Sequence, residues 1–367
     1  SITNGKITAK LTGAGKIVFL NQRGEVLLEE FHRNRREALE AFRGRSAETG
    51  AAQKKPDYLR ALVSALDIDA REFTPILGGD YQLTARFESN PAEKLFGMGQ
   101  YQQPYLNIKG CTLELAHRNS QASVPFVLSS LGYGFLWHNP AIGKATFGTN
   151  VTEWYAQSTD ILDYWITAGD TPAEIEEAYA RATGTVPMMP EFAMGFWQCK
   201  LRYRTQDELL EVAREYKRRN LPISVIVADF FHWPNQGDWK FDREYWPDPK
   251  AMIDELKGMG IELMVSVWPT VEESSENYHE MEERGYLIRA DRGNRIMLSD
   301  ASIFDATHPG ARAFVWSKVR QNYYDDGIKI FWLDEAEPEY THYHYDIYRY
   351  HLGPDVQIGN IYPVVYA

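Results

Sequence analysis

Three short, mostly apolar runs separated by helix-like segments constrain this chain more than any other feature. They are Ile223-Ser-Val-Ile-Val-Ala228, Glu262-Leu-Met-Val-Ser-Val267 and Ile328-Lys-Ile-Phe-Trp-Leu333. Runs this short, with so few charges, suit strands buried on both faces, as a parallel sheet requires. A fourth and shorter aromatic run, Gly195-Phe-Trp-Gln-Cys199, precedes them. Between them, 206–219 places Leu209, Leu210, Val212, Ala213 and Tyr216 on one helical face with charges on the other. Pro249 to Gly258 reads as a second helix, and 311–324 as a third that delivers the chain to Ile328. Val356-Gln-Ile-Gly-Asn360 reads as either a fifth strand or a loop. Strand and helix in alternation, joined by right-handed crossovers, leave a barrel or an open parallel sheet.

The ends of these runs carry the chemistry. The third breaks into Asp334-Glu-Ala-Glu-Pro-Glu339, where Pro338 forbids further strand pairing. A carboxylate at the end of a buried strand sits in a low-dielectric mouth, and (β/α)8 barrels hold catalytic groups at that end. Spacing alone fits a second reading equally, in which Asp334 and Glu337 cap a following helix. Asp229, which opens Asp-Phe-Phe-His-Trp-Pro234, has the same two readings: a cap, or a hydrogen-bonding group in a site. Phe231, Trp233, Trp268 and Trp332 stand near these ends as pocket walls or as packing.

The first half of the chain has a different period. Residues 1–31 alternate in strand fashion, punctuated by Gly13, Gly15 and Gly24, and strand patterns return from Tyr81 to about Ile166. Short strands with Gly, Pro and Asn between them describe a β-sandwich. Thr171-Pro-Ala-Glu-Ile-Glu-Glu177 then begins a helix that Gly184 ends. Residues 32–57, charged and then small and polar, read as a surface insertion without a functional role. The expected domains are 1–182, the sandwich with its linker helix, and 183–367.

Two cysteines, Cys111 and Cys199, allow at most one disulfide and form no zinc pattern. A net charge of −12 disfavours nucleic acid and anionic membranes as partners, and no apolar run reaches the 18 residues of a membrane span. The 10 Trp, 22 Tyr and 17 Phe suit sugar binding, because flat aromatic faces stack on the C–H faces of pyranose rings. His342-Tyr-His344 lies in a tyrosine-rich polar segment, away from any strand end, and reads as surface rather than as a metal pair. No phosphate-cradling glycine loop and no nucleophile elbow occurs, so no cofactor is indicated.

Trp332-Leu-Asp-Glu-Ala-Glu-Pro-Glu339 resembles the nucleophile motif of glycoside hydrolase family 31, a tryptophan, one residue, an aspartate, two residues and a glutamate. Phe96-Gly-Met-Gly-Gln100 is similar to the family's Gly-x-Gly-Glu turn, with Gln100 where glutamate is usual. Ser129-Ser-Leu-Gly-Tyr-Gly134, the Gly169-Asp-Thr-Pro linker and Gly359-Asn-Ile-Tyr362 follow in the family's order. The resemblance implies a sandwich followed by a (β/α)8 barrel, with Asp334 as nucleophile, Glu337 as its support and Trp332 lining the site. It also implies that Asp229 contacts the non-reducing sugar, with Phe231, Trp233 and Trp268 around it. Asp229-Phe-Phe-His-Trp and Trp246-Pro-Asp-Pro249 resemble the α-xylosidase branch, where aromatic bulk fills the space of a hydroxymethyl group.

The family's acid/base aspartate lies in a Trp-x-Gly-Asp type motif after an Arg-Ser segment, and neither occurs in this sequence. Residues 191–367 supply four or five strand patterns, where a (β/α)8 barrel takes eight strands and ~250 residues. The expectation is therefore the first part of a barrel. Its open edge would favour pairing with another chain, a homo-oligomer included. The function expected of the parent is retaining exo-hydrolysis of terminal α-linked xylose or glucose from oligosaccharides. The alternatives are an α-glucan lyase, or a non-catalytic carbohydrate-binding piece. No signal region precedes Ser1, which leans the expectation toward the cytoplasm.

Overall fold

The computed structural model describes all residues except 14, 34–67, 294–300 and 341. The surface insertion expected over 32–57 lies almost wholly outside the described residues. The chain divides into two compact units, Ser1–Val186 and Pro187–Ala367.

The first unit is built of antiparallel strands. β1 (Ile2–Asn4), β2 (Ile7–Leu11), β3 (Ile17–Asn21) and β4 (Val26–Glu29) form a meander. β5 (Arg71–Pro75), β6 (Tyr81–Glu88), β7 (Leu95–Gln100), β8 (Thr112–Leu115) and β9 (Ala122–Ser129) follow, then β10 (Tyr133–Trp137), β11 (Gly143–Phe147), β12 (Val151–Thr159) and β13 (Tyr164–Ala168). They make two sheets, ordered β13-β10-β9-β7 and β5-β6-β12-β11-β8. Period-two burial decides which faces meet. Thr152, Trp154 and Ala156 of β12 point inward, opposite Phe87, Ala85 and Leu83 of β6. From the other sheet Phe135 and Trp137 of β10 stack on Trp154, with ring centroids 5.0 and 5.9 Å apart. This is a β-sandwich.

Two of the glycine motifs are explained by packing here. A Cβ on Gly99, at φ +92°, would lie 2.2 Å from the Ala122 carbonyl oxygen, where β7 bulges against β9. A Cβ on Gly134 would lie 2.6 Å from Ile175 of the helix α1 (Pro172–Thr183) that covers this sheet. Thr171 caps α1 by accepting from the Glu174 amide, and Gly184 ends it.

The second unit alternates. β14 (Trp197–Gln198), α2 (Gln206–Arg218), β15 (Val225–Ala228), α3 (Pro249–Gly258) and β16 (Glu262–Val267) follow one another. Then come β17 (Thr270–Glu272), α4 (Tyr278–Glu283), β18 (Arg289–Ala290), β19 (Ala301–Ile303), α5 (Pro309–Val319) and β20 (Ile330–Leu333). β14, β15, β16 and β20 are hydrogen-bonded in that order, all parallel. Each long helix starts at a side-chain cap: Thr205 for α2, Asp248 for α3 and His308 for α5, the last two with Pro at the first turn. Their apolar faces (Leu209, Leu210, Ala213, Met252, Ile253, Leu256) share one core with Ile226, Ala228, Leu263, Val265 and Val267. The strands' other face carries Trp197, Val227, Ser266 and Trp332. Its sequel in the pleat is the position of Asp229 and Asp334.

Three elements differ from the sequence reading. The strand expected over Gly195–Cys199 is only Trp197–Gln198. The helix before β20 runs from Pro309 to Val319 and then widens into a π turn, Arg320–Tyr324, instead of continuing to 324. Residues 356–360 form neither a strand nor a loop. After β21 (Tyr348–Tyr350) and β22 (Gly353–Pro354), a short helix α6 (Asp355–Ile358) begins. The reason is the period of burial: Asp355, Gly359 and Tyr362 are inward, spaced for a helix and not for alternation.

Candidate active site

Asp334 stands immediately beyond β20. Its amide donates to the Val267 carbonyl at 3.0 Å, so the parallel ladder runs to the last residue before the turn. Its carboxylate is held at both oxygens: Trp268 Nε1–H donates to Oδ2 at 3.1 Å and the Glu335 amide to Oδ1 at 3.0 Å. No helix follows, only a turn through Glu335–Pro338, so the capping reading of Asp334 and Glu337 is excluded. Glu335 takes φ +53°, a left-handed backbone that turns the chain sharply at this point.

The turn concentrates carboxyl groups. Burial, with the charges of Glu339, Asp334 and Glu337 behind it, pushes Glu335 up to about 8. Burial also raises Glu337, with Glu339 and Asp334 adding to it. One buried oxygen of each, Oε2, has no hydrogen-bond partner. A proton on Glu335 at neutral pH relieves part of the repulsion that adjacent anions would otherwise generate.

Asp229 stands at the end of β15, 7% exposed. It caps no helix: Oδ1 accepts from the Phe230 amide at 2.8 Å, and the Cys199 thiol donates toward Oδ2 at 3.8 Å. Burial raises its pKa, and the charge of Asp334 adds to that, so the two acids sense one another. Aromatic rings surround them. Trp268 lies 5.1 Å from Phe230, 5.8 Å from Phe231 and 5.8 Å from Trp233, centroid to centroid. Phe231 is open to solvent, at φ +59°, with the Arg202 guanidinium 5.0 Å over its ring. Trp332 is also open, whereas Trp233 is only 6% exposed and backs the cluster instead of presenting a face.

All seven sequence-predicted residues therefore fall at or just beyond the strand ends of one sheet. Sequence reasoning passed over Cys199, Arg202, Phe230 and Glu335, although each lies within a few residues of a recognised strand end. It assigned nothing to His232 beyond its place in a motif. Both cysteines are free thiols. His342 and His344 have ring centroids 5.9 Å apart, and among the described residues no group of three or more His, Cys, Asp or Glu is placed to hold a metal ion.

Comparison with known proteins gives the constellation its context. The Glycosyl hydrolases family 31 TIM-barrel domain matches residues 186–367. An uncharacterized family 31 glucosidase, ORF2, of Pseudescherichia vulneris is 58% identical over the whole of this chain and 68% of its own length. The chain belongs to glycoside hydrolase family 31. Alpha-xylosidase A of Aspergillus niger is 37% identical over 72% of this chain and 37% of its own length. Among solved structures, a family 31 α-xylosidase from a soil metagenome, complexed with xylose, is 61% identical, with a TM-score of 0.90. That match covers 99% of this chain and 52% of the soil enzyme, so the chain spans about half of that family 31 protein. The family's architecture is the one described above, an N-terminal sandwich and the strand–helix succession of a (β/α)8 barrel.

Proposed function

We propose that the protein is a retaining exo-acting α-glycosidase, with terminal α-linked xylose as its preferred substrate and a covalent glycosyl-enzyme on Asp334. The observation that carries this reading is the pair of N–H donors on Asp334 at the mouth of a parallel sheet. A nucleophile must stay ionised and point at the anomeric carbon, and Trp268 and the Glu335 amide hold the carboxylate in one orientation. Asp229, one strand over in β15, is the group for the sugar hydroxyls. Phe231 and Trp332 offer open aromatic surface for the pyranose ring, half-buried Trp268 packs against Phe231 and donates to Asp334, and Trp233 supports them from behind. Glu337 fixes the turn that carries Asp334.

In this mechanism Asp334 attacks while a carboxylic acid roughly 5–5.5 Å away protonates the leaving oxygen, and water then releases the sugar by the reverse path. The family's motif for that acid does not occur in this sequence. Xylose is favoured over glucose because α-xylosidases recur among the relatives and because rings crowd the carboxylates. The deciding experiment compares kcat/KM of the complete protein on aryl α-xyloside and aryl α-glucoside. A large preference for the glucoside overturns the xylose assignment, anhydro-sugar product indicates a lyase, and sugar binding without turnover indicates a binding module.

A further inference from the structure

His232 lies behind the site, against the Asp229 backbone and the Trp233 ring. It is 1% exposed, three residues beyond Asp229, and both its ring nitrogens are committed. Nδ1 lies 2.9 Å from the Asp229 carbonyl oxygen, an acceptor only, so Nδ1 carries the proton and donates. Nε2 is then the acceptor for the Tyr323 hydroxyl, 2.8 Å away. Burial holds the imidazole neutral, down at about 4, and holds the fully buried tyrosine well above its ordinary value, so this donor order persists at any working pH.

Tyr323 sits in the π turn Arg320–Tyr324, and its carbonyl accepts the Ile328 amide at 3.0 Å, where the chain turns toward β20. The neighbouring Asn322 donates from Nδ2 to the Trp239 carbonyl at 3.1 Å, and Trp239 Nε1–H donates to the Trp268 carbonyl at 3.0 Å. The wide π turn therefore presents two successive side chains to the 229–248 loop. One reaches the His232 ring and through it the Asp229 carbonyl, and the other reaches the backbone of Trp239, whose indole N–H supports Trp268. Single π turns recur at functional sites because they re-aim side chains that a regular helix would splay.

We infer that Tyr323 and His232 are positioning residues, forming a buried strut from the π turn to the Asp229 backbone that sets the substrate-binding carboxylate relative to Asp334. The inference rests on the glycosidase reading for its kinetic consequence but not for its geometry. Asp229 would bind sugar in both ground and transition states, so a displaced Asp229 raises KM more than it lowers kcat. The Cys199 thiol gives a readout independent of activity. It is exposed, and burial together with the adjacent Asp229 charge raises its pKa, so moving Asp229 away raises its alkylation rate.

The test uses the complete protein with an aryl α-xyloside, xylose titration by calorimetry, and iodoacetamide labelling of Cys199 followed by peptide mass. Tyr323→Phe keeps the ring and deletes only the hydroxyl. It is expected to raise KM and the xylose Kd about tenfold, to leave kcat within about twofold, and to speed Cys199 labelling severalfold. His232→Asn retains a donor toward the Asp229 carbonyl and is expected to recover most of what His232→Ala loses. Val315→Ala in α5, buried in the shared core but with no side-chain polar group to join the hydrogen-bonded strut, is expected to lower Tm without changing KM. The strut is overturned if Tyr323→Phe lowers Tm but leaves KM, Kd and labelling unchanged, or if Val315→Ala moves them equally. A wild-type protein inert toward both α-glycosides would sink the glycosidase reading, and the labelling rate alone would then decide the strut.

Discussion

Buried Glu93 in the first unit and half-buried Asp334 in the second are treated in opposite ways. In the sandwich, Glu93 is 5% exposed and surrounded: Ser129 Oγ and Tyr133 Oη each donate to Oε1 at 2.6 Å, and Lys109 Nζ lies 3.2 Å from Oε2. In the barrel unit, Asp334 has two N–H donors but no cation within ion-pairing distance among the described residues. Glu335 and Glu337 beside it each leave an oxygen bare. A fully partnered buried acid cements a fold, whereas an under-partnered cluster retains binding capacity for something else. Ser129 and Tyr133 of the Ser-x-x-Gly-Tyr-Gly motif belong to the first kind. The acids after Trp332 belong to the second.

The contrast can be broken at either end. The largest effect is expected from Asp334→Asn, which removes the nucleophile and should cost roughly 10⁴-fold or more in kcat/KM on an aryl α-glycoside. Its Tm should stay near that of the wild type, and activity within tenfold of wild type would end the nucleophile assignment. Glu93→Leu should do the reverse. It strands Lys109, 8% exposed, without its counter-charge, which costs about 3–5 kcal/mol of stability in denaturant titration. Below its unfolding midpoint, kcat should change little. A Glu93→Leu protein as stable as wild type would remove the distinction drawn between the two kinds of acid.

Asp229→Asn is expected to be intermediate. Losing a charged hydrogen bond to a sugar hydroxyl is worth about 1.5–3 kcal/mol, roughly 10- to 150-fold in kcat/KM. A stability loss with unchanged kinetics would instead assign Asp229 to the Glu93 class. The remaining test concerns Glu335 and reads stability against pH, not turnover. Its folded pKa, about 8, lies above the ordinary 4.5, so the folded state binds more protons than the unfolded one between those values. Stability attributable to this group is therefore highest below pH 4.5, falls as pH rises toward 8 and then levels off. Glu335→Gln should remove that slope, so its Tm should gain on wild type from pH 5 to pH 8. A constant difference would show that Glu335 is not held protonated.

The barrel-mouth acids also show which information is local. That Asp334 ends a strand could be read from Ile328–Leu333 and Pro338, because burial and proline act within a few residues. That Asp334 caps nothing could not, since a cap and a turn begin with the same letters. The decision came from Glu335 adopting a left-handed backbone and from Trp268, 66 residues earlier, donating to the carboxylate. Likewise Trp233 and Phe231 look equivalent in sequence and both pack against Trp268, but Trp233 also packs against His232 and is buried while Phe231 stays open.

By itself the sequence determined the two periods of this protein, alternation before Ile166 and strand–helix succession after Met194, and with them the helix start at Thr171. These follow from side-chain direction and backbone hydrogen-bonding needs, which are short-range properties of the polymer. Tertiary structure alone decided the helical turn at Asp355–Ile358, the π turn after Val319 and the distant partners of Glu93 and Asp334. Those depend on which distant groups arrive to satisfy a polar atom, and a chain carries no local record of who its neighbours will be.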